Sequence, residues 1–471
     1  MLGLVARVWR RGRQRLWLVG RWLLGLGLLV LAGQLRSPSL LKARGLASGL
    51  CLLGALGLLS VAARALRRAS SGRDRAVAIA LLACALTAGG VQLLEHGRYF
   101  AQQRLVLQAP AAERARLARH LVAGFRSWEE ARVLVGEVLV GGVYVGLHNA
   151  RGLPADELRD RIFALQTLRA ARGLSPLLVA VDQEGGPVSR LSPPLPSQPA
   201  LSAVIAAAAT EAERDPHIRA FAEEQAVPLR RLGVNVNFSP VCDLRLHPEH
   251  SFLDRYSFIG ARAISAEPDV VARVAQSYAG ALLAHGIVPT AKHFPGLGRV
   301  RTDTHFFTAT LPTSAAELTA TDWVPFRAVL AAPPTLLMLG HVVVTAIDPD
   351  HLASGSARLV SGVVRGTWGH QGVVITDDLC MGPVFYGPGG LPAFAPAALR
   401  AGVDPLLSSY DGTQVYPALA ALLQARRSGE LSDALLQQSE ERLERLSTFF
   451  TENGARAAGL ATPAAKVTAR R

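Results

Sequence analysis

Residues 292–305 read KHFPGLGRVRTDTH. Lys292 and His293 are adjacent, and Asp303 precedes His305 by two residues, beyond a turn rich in proline and glycine. A carboxylate so close to an imidazole can orient the ring for acid/base work near neutral pH. Further acids close apolar runs: Asp182 follows LLVAV, Asp243 follows NFSPVC and the pair Asp377-Asp378 follows GVVIT. A rigidly aimed carboxylate opposite a mobile acid/base is what double displacement at an anomeric carbon requires. The carboxylate forms a glycosyl-enzyme while the other group protonates the leaving oxygen and then activates water. The usual second group is a carboxylic acid, and a histidine in that role is an exception. The four cysteines, at 51, 84, 242 and 380, form no CxxC or ligand spacing, and no phosphate-cradling glycine motif occurs. Neither a metal nor a cofactor is therefore expected.

These residues need a frame that gathers them. Apolar runs at 140–146, 177–182, 234–238, 287–294, 335–343, 372–378 and 404–409 alternate with helix-like stretches such as 209–232, 271–284, 315–331 and 415–427. Strands apolar throughout suggest a parallel sheet buried on both faces. Seven β-then-α units over residues 105–454 predict an α/β fold, a (β/α)8 TIM-type barrel with one strand unrecognised. A doubly wound sheet competes but lacks its GxGxxG. In a barrel the C-terminal strand ends form the active-site face, where Asp182, Asp243, Lys292, His293, His341 and Asp377 all fall. Any one aspartate there could be a helix cap, but lysine and histidine do not cap. Residues 455–471, rich in Ala and Arg, read as a disordered tail.

The net charge of +14 points to nucleic acid only until it is located. Residues 1–104 hold 16 Lys+Arg against two acids, and the remainder balances, so no polyanion footprint exists. Between those arginines lie apolar runs at 16–33, 46–66 and 76–94, of 18, 21 and 19 residues. Each suits a helix crossing a hydrocarbon core of about 30 Å. Residues 1–104 thus read as a helical transmembrane anchor of three spans. Arginines crowd before the first run and between the second and third, at 64, 67, 68, 73 and 75. The positive-inside rule then puts the N-terminus in the cytoplasm and everything after residue 94 outside it, on the periplasmic or cell-wall face of the cytoplasmic membrane.

The segments VAVDQEGG (179–186), NFSPVCDL (237–244), AKHFPGLG (291–298), TDTH (302–305), GHVVVTAID (340–348) and GVVITDDLCMG (372–382) occur in this order. From about Val122 to Ser447 the chain resembles the glycoside hydrolase family 3 β-N-acetylglucosaminidases, which trim N-acetylglucosamine from peptidoglycan fragments. The resemblance implies Asp377 as nucleophile, His305 as proton donor and acceptor, and Asp303 as the acid assisting it. It implies that Asp182, Arg190, Arg255, Lys292 and His293 hold the sugar. The chain departs from the family pattern at Leu297, where a histidine is usual, at Pro187, where an arginine is usual, and around Arg255, where DRYSF carries an extra residue. The expected function is a retaining exo-glycosidase acting on N-acetylglucosamine-containing glycans or muropeptides. A family 3 β-glucosidase and an inactive wall-glycan-binding module are the alternatives.

Overall fold

A computed structural model describes residues 2–247 and 257–460, which form two compact units, Met1–Leu107 and Gln108–Arg471. Three helices make the first: α1 (Leu2–Gln34), α2 (Arg44–Arg67) and α3 (Gly72–Gln108). They pack through Leu28, Ala32, Cys51, Leu58, Ala62, Leu81, Ala85 and Ala88. On α3 the buried positions 78, 81, 85, 88 and 92 recur at alternating steps of three and four, a single stripe of the helix. The opposite faces are apolar too, with Leu50, Leu53, Leu56, Ile79, Leu86 and Leu93 exposed. Helices that are apolar all round belong in a core or a bilayer. A polar tie between helices on this stripe runs from Gln92 Nε2 to the carbonyl and hydroxyl of Ser48, at 3.0 and 2.7 Å. Residues 38–67 and α3 are each long and apolar enough to cross a membrane, whereas the apolar part of α1, Leu18–Gln34, is shorter.

The second unit is built on eight parallel strands: β1 (Leu121–Ala123), β2 (Gly142–Tyr144), β3 (Leu178–Val181), β4 (Val236–Asn237), β5 (Val288–Phe294), β6 (Leu336–Leu339), β7 (Val374–Thr376) and β8 (Leu406–Ser408). They pair in chain order from β1 to β7, and β8 returns to pair with β1. An Asp378–Leu407 bridge and the Leu379 N–H to Leu407 carbonyl bond (2.8 Å) draw β7 to β8 and nearly close the sheet. The unrecognised strand is β1. Its three residues follow the helix Ala111–Ala118 after a gap of two and read in sequence as that helix's continuation, so that its neighbours on both sides define it.

Inside the sheet, Val122, Ala180, Val236, Phe238, Val288, Met338, Ile375 and Leu407 form one cluster, joined from below by Leu446 and Phe450 of the helix Asp433–Leu460. That helix is clamped by buried Asp404. Its carboxylate accepts from Ser439, Arg442 and Arg365 at 2.7–2.8 Å and from the Val374 N–H of β7. The helix continues to Leu460, past the point where the tail was expected to begin, because its alanine-rich end favours helix. Residues 461–471 of that tail lie outside the described residues.

Two additions sit at the C-terminal strand ends. After β3 the chain folds into a hairpin, Gln183–Gly185 against Val188–Ser189, which brings the Arg190 N–H back to the Asp182 carbonyl at 3.0 Å. Gly185 and Gly186 both take positive φ there, and a Cβ on Gly185 would lie 2.3 Å from the Pro199 carbonyl oxygen. After β5 and β6, Ala309–Leu311 pairs with Val342–Val344, tying the long loop that carries His305 to the segment beyond β6.

Candidate active site

Lys292, near the end of β5, is 1% exposed. Its ammonium lies 2.6 Å from Asp182 Oδ1 and 2.5 Å from Glu184 Oε1. Arg262 grips the same Glu184 through both carboxylate oxygens, at 2.7 and 2.9 Å. Tyr144, ending β2, donates its hydroxyl to Asp182 Oδ2 at 2.8 Å. Burial alone would raise the Asp182 carboxyl's pKa, but Lys292 and Arg190 outweigh it and hold the group well below the usual carboxylate range. Glu184 is lowered likewise, with Arg262 and then Lys292 overcoming burial. Removing one member of a buried charge network costs about 3–5 kcal/mol, because the remaining charges stay unpaired. The result is a rigid polar floor.

His293 continues this floor. Its Nδ1–H donates to Asp243 Oδ2 at 2.7 Å, and Arg262 approaches its Nε2 at 3.5 Å. Asp243 also accepts the Leu297 N–H at 2.7 Å. Leu297, which replaces the expected histidine, is buried, and its side chain packs on the open face of Gly340. At that position the wall is apolar rather than titratable.

The loop bearing Asp303 and His305 is docked rather than loose. Arg299 reaches buried Asp322 and Glu317, each at 2.8 Å, and the His305 carbonyl accepts the Gly382 N–H at 2.7 Å. The glycines predict mobility, but this buried acid and the backbone tie to the loop after β7 hold the segment down. Asp303 is buried and its Oδ1 accepts both the backbone N–H and the Nδ1–H of His305, at 3.0 and 2.8 Å. The imidazole itself is 42% exposed, so an incoming molecule can reach it.

Asp377 is the first residue beyond β7. Its N–H is held by the Leu339 carbonyl of β6 at 2.8 Å, and its Oδ1 accepts the Asp378 N–H at 2.8 Å. Burial pushes its carboxyl upward, but the surrounding imidazoles, His293 first, prevail and leave it below the ordinary value. Asp378 behaves oppositely. Burial raises it, and its oxygens are taken by the N–H groups of Cys380, Ser409 and Tyr410 and the Ser409 hydroxyl. One aspartate of the pair is an ionised group at the mouth; the other ties two loops together.

Six of the predicted residues thus share one hydrogen-bonded or electrostatic neighbourhood at the strand ends: Asp182, Lys292 and His293 on the floor, Asp303, His305 and Asp377 around it. Arg190 joins through its charge on Asp182 and Tyr144. Arg255 lies outside the described residues. Sequence reasoning did not single out Glu184, Asp243, Tyr144 or Arg262 as site residues. Asp243 stood among the strand-end residues and was legible there, Glu184 lies two residues beyond Asp182 in the VAVDQEGG segment, and Tyr144 reads as core. Arg262 sits in a stretch without periodicity, and its one signal is an arginine set between apolar residues (IGARAI), where burial demands a partner. Among the described residues no group of three or more His, Cys, Asp or Glu side chains could hold a metal ion.

Residues 112–446 match the glycosyl hydrolase family 3 N-terminal domain. The chain belongs to glycoside hydrolase family 3. It is 32% identical over 306 residues to a beta-hexosaminidase of Nitrosomonas eutropha, covering 64% of this chain and 82% of that one. It is 30% identical over 342 residues to the beta-hexosaminidase LpqI of Mycobacterium tuberculosis, covering 72% and 83%. Among solved structures it resembles a family 3 beta-N-acetylglucosaminidase from Paenibacillus sp., with a TM-score of 0.67 and 29% identity, covering 75% of this chain and 65% of that longer one. As a family 3 member the chain is a glycosidase, and its nearly closed parallel sheet with polar strand ends is the family 3 frame.

Proposed function

We propose that this family 3 protein is a retaining exo-β-N-acetylglucosaminidase that removes terminal N-acetylglucosamine from peptidoglycan fragments. The observation that carries the mechanism is the Asp303–His305 bond on a loop tied, through the His305 carbonyl and Gly382, to the segment that follows Asp377. Asp377 attacks the anomeric carbon as the glycosidic C–O bond breaks, and His305 gives its proton to the departing oxygen. A water molecule then surrenders a proton to His305 and displaces Asp377 from the anomeric carbon, releasing the sugar and regenerating both groups. Asp303 takes the Nδ1–H, which leaves Nε2 as the nitrogen that exchanges the proton. Asp182, Arg190, Lys292 and His293 hold the sugar hydroxyls by charge-assisted hydrogen bonds, with Arg255 in the same role as the resemblance implies. The hexosaminidase and N-acetylglucosaminidase names of the relatives support the choice of sugar. The full chain, purified in detergent, should cleave a chromogenic N-acetyl-β-glucosaminide in strong preference to the matching β-glucoside. Preference for the glucoside would favour the glucosidase reading, and binding without turnover would favour a glycan-binding module.

The same proposal places the first unit in the cytoplasmic membrane as three spans with the barrel outside. The outward-facing leucines of all three helices support it. A phosphatase reporter that is active only outside the cytoplasm, fused after Arg471, should be active. A cytoplasm-dependent reporter active at that position instead would mean two spans and an internal barrel.

A further inference from the structure

His341 is completely buried at the mouth, two residues beyond β6, and the mechanism above gives it no task. Its Nε2 lies 3.1 Å from the Asp378 carbonyl, and its Nδ1 lies 2.7 Å from the Ser354 hydroxyl. A carbonyl only accepts, so Nε2 carries the proton; in the neutral ring Nδ1 then accepts from Ser354. Burial disfavours the cation and lowers this histidine's pKa, in agreement with the neutral tautomer. The ring is also wedged edge-on against Phe394, with centroids 5.8 Å apart.

The backbone bonds give this arrangement its meaning. Leu339 of β6 accepts the Asp377 N–H, and two residues later on the same segment His341 donates to the carbonyl of Asp378. Between them, the Asp378 N–H binds the Asp377 carboxylate. The dipeptide carrying the reactive group is therefore gripped on both sides by one strand end. That strand end is itself bonded to β5 through the Gly340 N–H and the Phe294 carbonyl, at 2.8 Å. We propose that His341, oriented by Ser354, is a positioning residue that aims the Asp377 carboxylate at the anomeric carbon without touching the sugar. This rests on the reading of Asp377 as nucleophile.

A misplacement of about 1 Å in a reacting group can cost about 10²-fold in rate. In the full-length protein, His341→Phe should lower kcat per active site by about 10- to 100-fold with KM little changed. Active sites are counted by the amount of covalent label left by a 5-fluoro N-acetylglucosaminyl inactivator. His341→Gln retains a distal N–H donor and should recover much of the loss. Ser354→Ala should show a smaller kcat defect, and adding it to His341→Phe should cost nothing further, since its only route is through the ring. Unchanged kcat per labelled site in Ser354→Ala and His341→Phe, or losses that multiply in the double variant, would overturn the positioning role. Mass spectrometry of the labelled wild-type protein separates the two ideas. A label on Asp377 keeps the nucleophile reading whatever the variants do, and a label elsewhere overturns that reading instead.

Discussion

Asp377→Ala should abolish turnover on every glycoside the protein accepts, with kcat falling by about four to six orders of magnitude. The loss does not depend on the leaving group, because the covalent route requires a carboxylate at the anomeric carbon regardless of what departs. Binding should survive, since the floor made by Lys292, Asp182, Glu184 and Arg262 is tied together without Asp377. A small anion such as azide should partly restore cleavage of an activated substrate and yield the glycosyl azide of inverted configuration. An Asp377→Ala variant within about tenfold of the parent would remove Asp377 from the chemistry. The pH profile offers an independent check. The carboxyl of Asp377 is lowered in the folded protein, so it stays ionised as pH falls through the ordinary carboxylate range. Activity that depends on this carboxylate is lost only as pH drops through the lowered value. The acid limb of kcat/KM should therefore lie below the usual carboxylate pKa of about 4. An acid limb above that value would assign it to another group.

His305→Ala should cost about 10²–10⁴-fold on a natural disaccharide, the usual worth of general acid/base catalysis. The loss in the glycosylation step should shrink on an aryl glycoside whose leaving group departs without a proton, so the ratio of the two losses is the measurement. Asp303→Asn should hurt less, because Asp303 holds the ring through Nδ1 and the backbone N–H rather than transferring the proton. Equal losses for His305→Ala on both substrates would show that His305 does not protonate the leaving oxygen. The comparison is clean on structural grounds. The His305 side chain is substantially exposed, so its removal leaves no buried cavity, whereas Asp303 is buried and its replacement by alanine would confound catalysis with folding.

Much of this protein can be read from local sequence. Apolar runs ended by Asp182, Lys292-His293 and Asp377 are enough to predict parallel strands with a polar mouth, because helix capping accounts for a single aspartate but not for the lysine and histidine beside it. The Asp303–His305 spacing foretells their bond, since two residues is the reach of a side chain to its own turn. The composition of residues 1–104 determines an apolar helical unit apart from a neutral one, as charge and hydropathy require no knowledge of contacts. What pairs residues far apart in the chain was decided only in three dimensions. Arg262 reaches Glu184 across 78 residues, and His341 reaches Asp378 across 37. The different settings of Asp377, beside imidazoles, and Asp378, bound by backbone N–H groups and a hydroxyl, follow from which side of the strand end meets the Ser409–Tyr410 turn. Nor could β1 be seen before it was paired, for it follows the helix Ala111–Ala118 so closely that it reads as that helix's continuation. Local composition dictates which elements form and what they carry at their ends, and the closing of the sheet alone sets which of those ends meet.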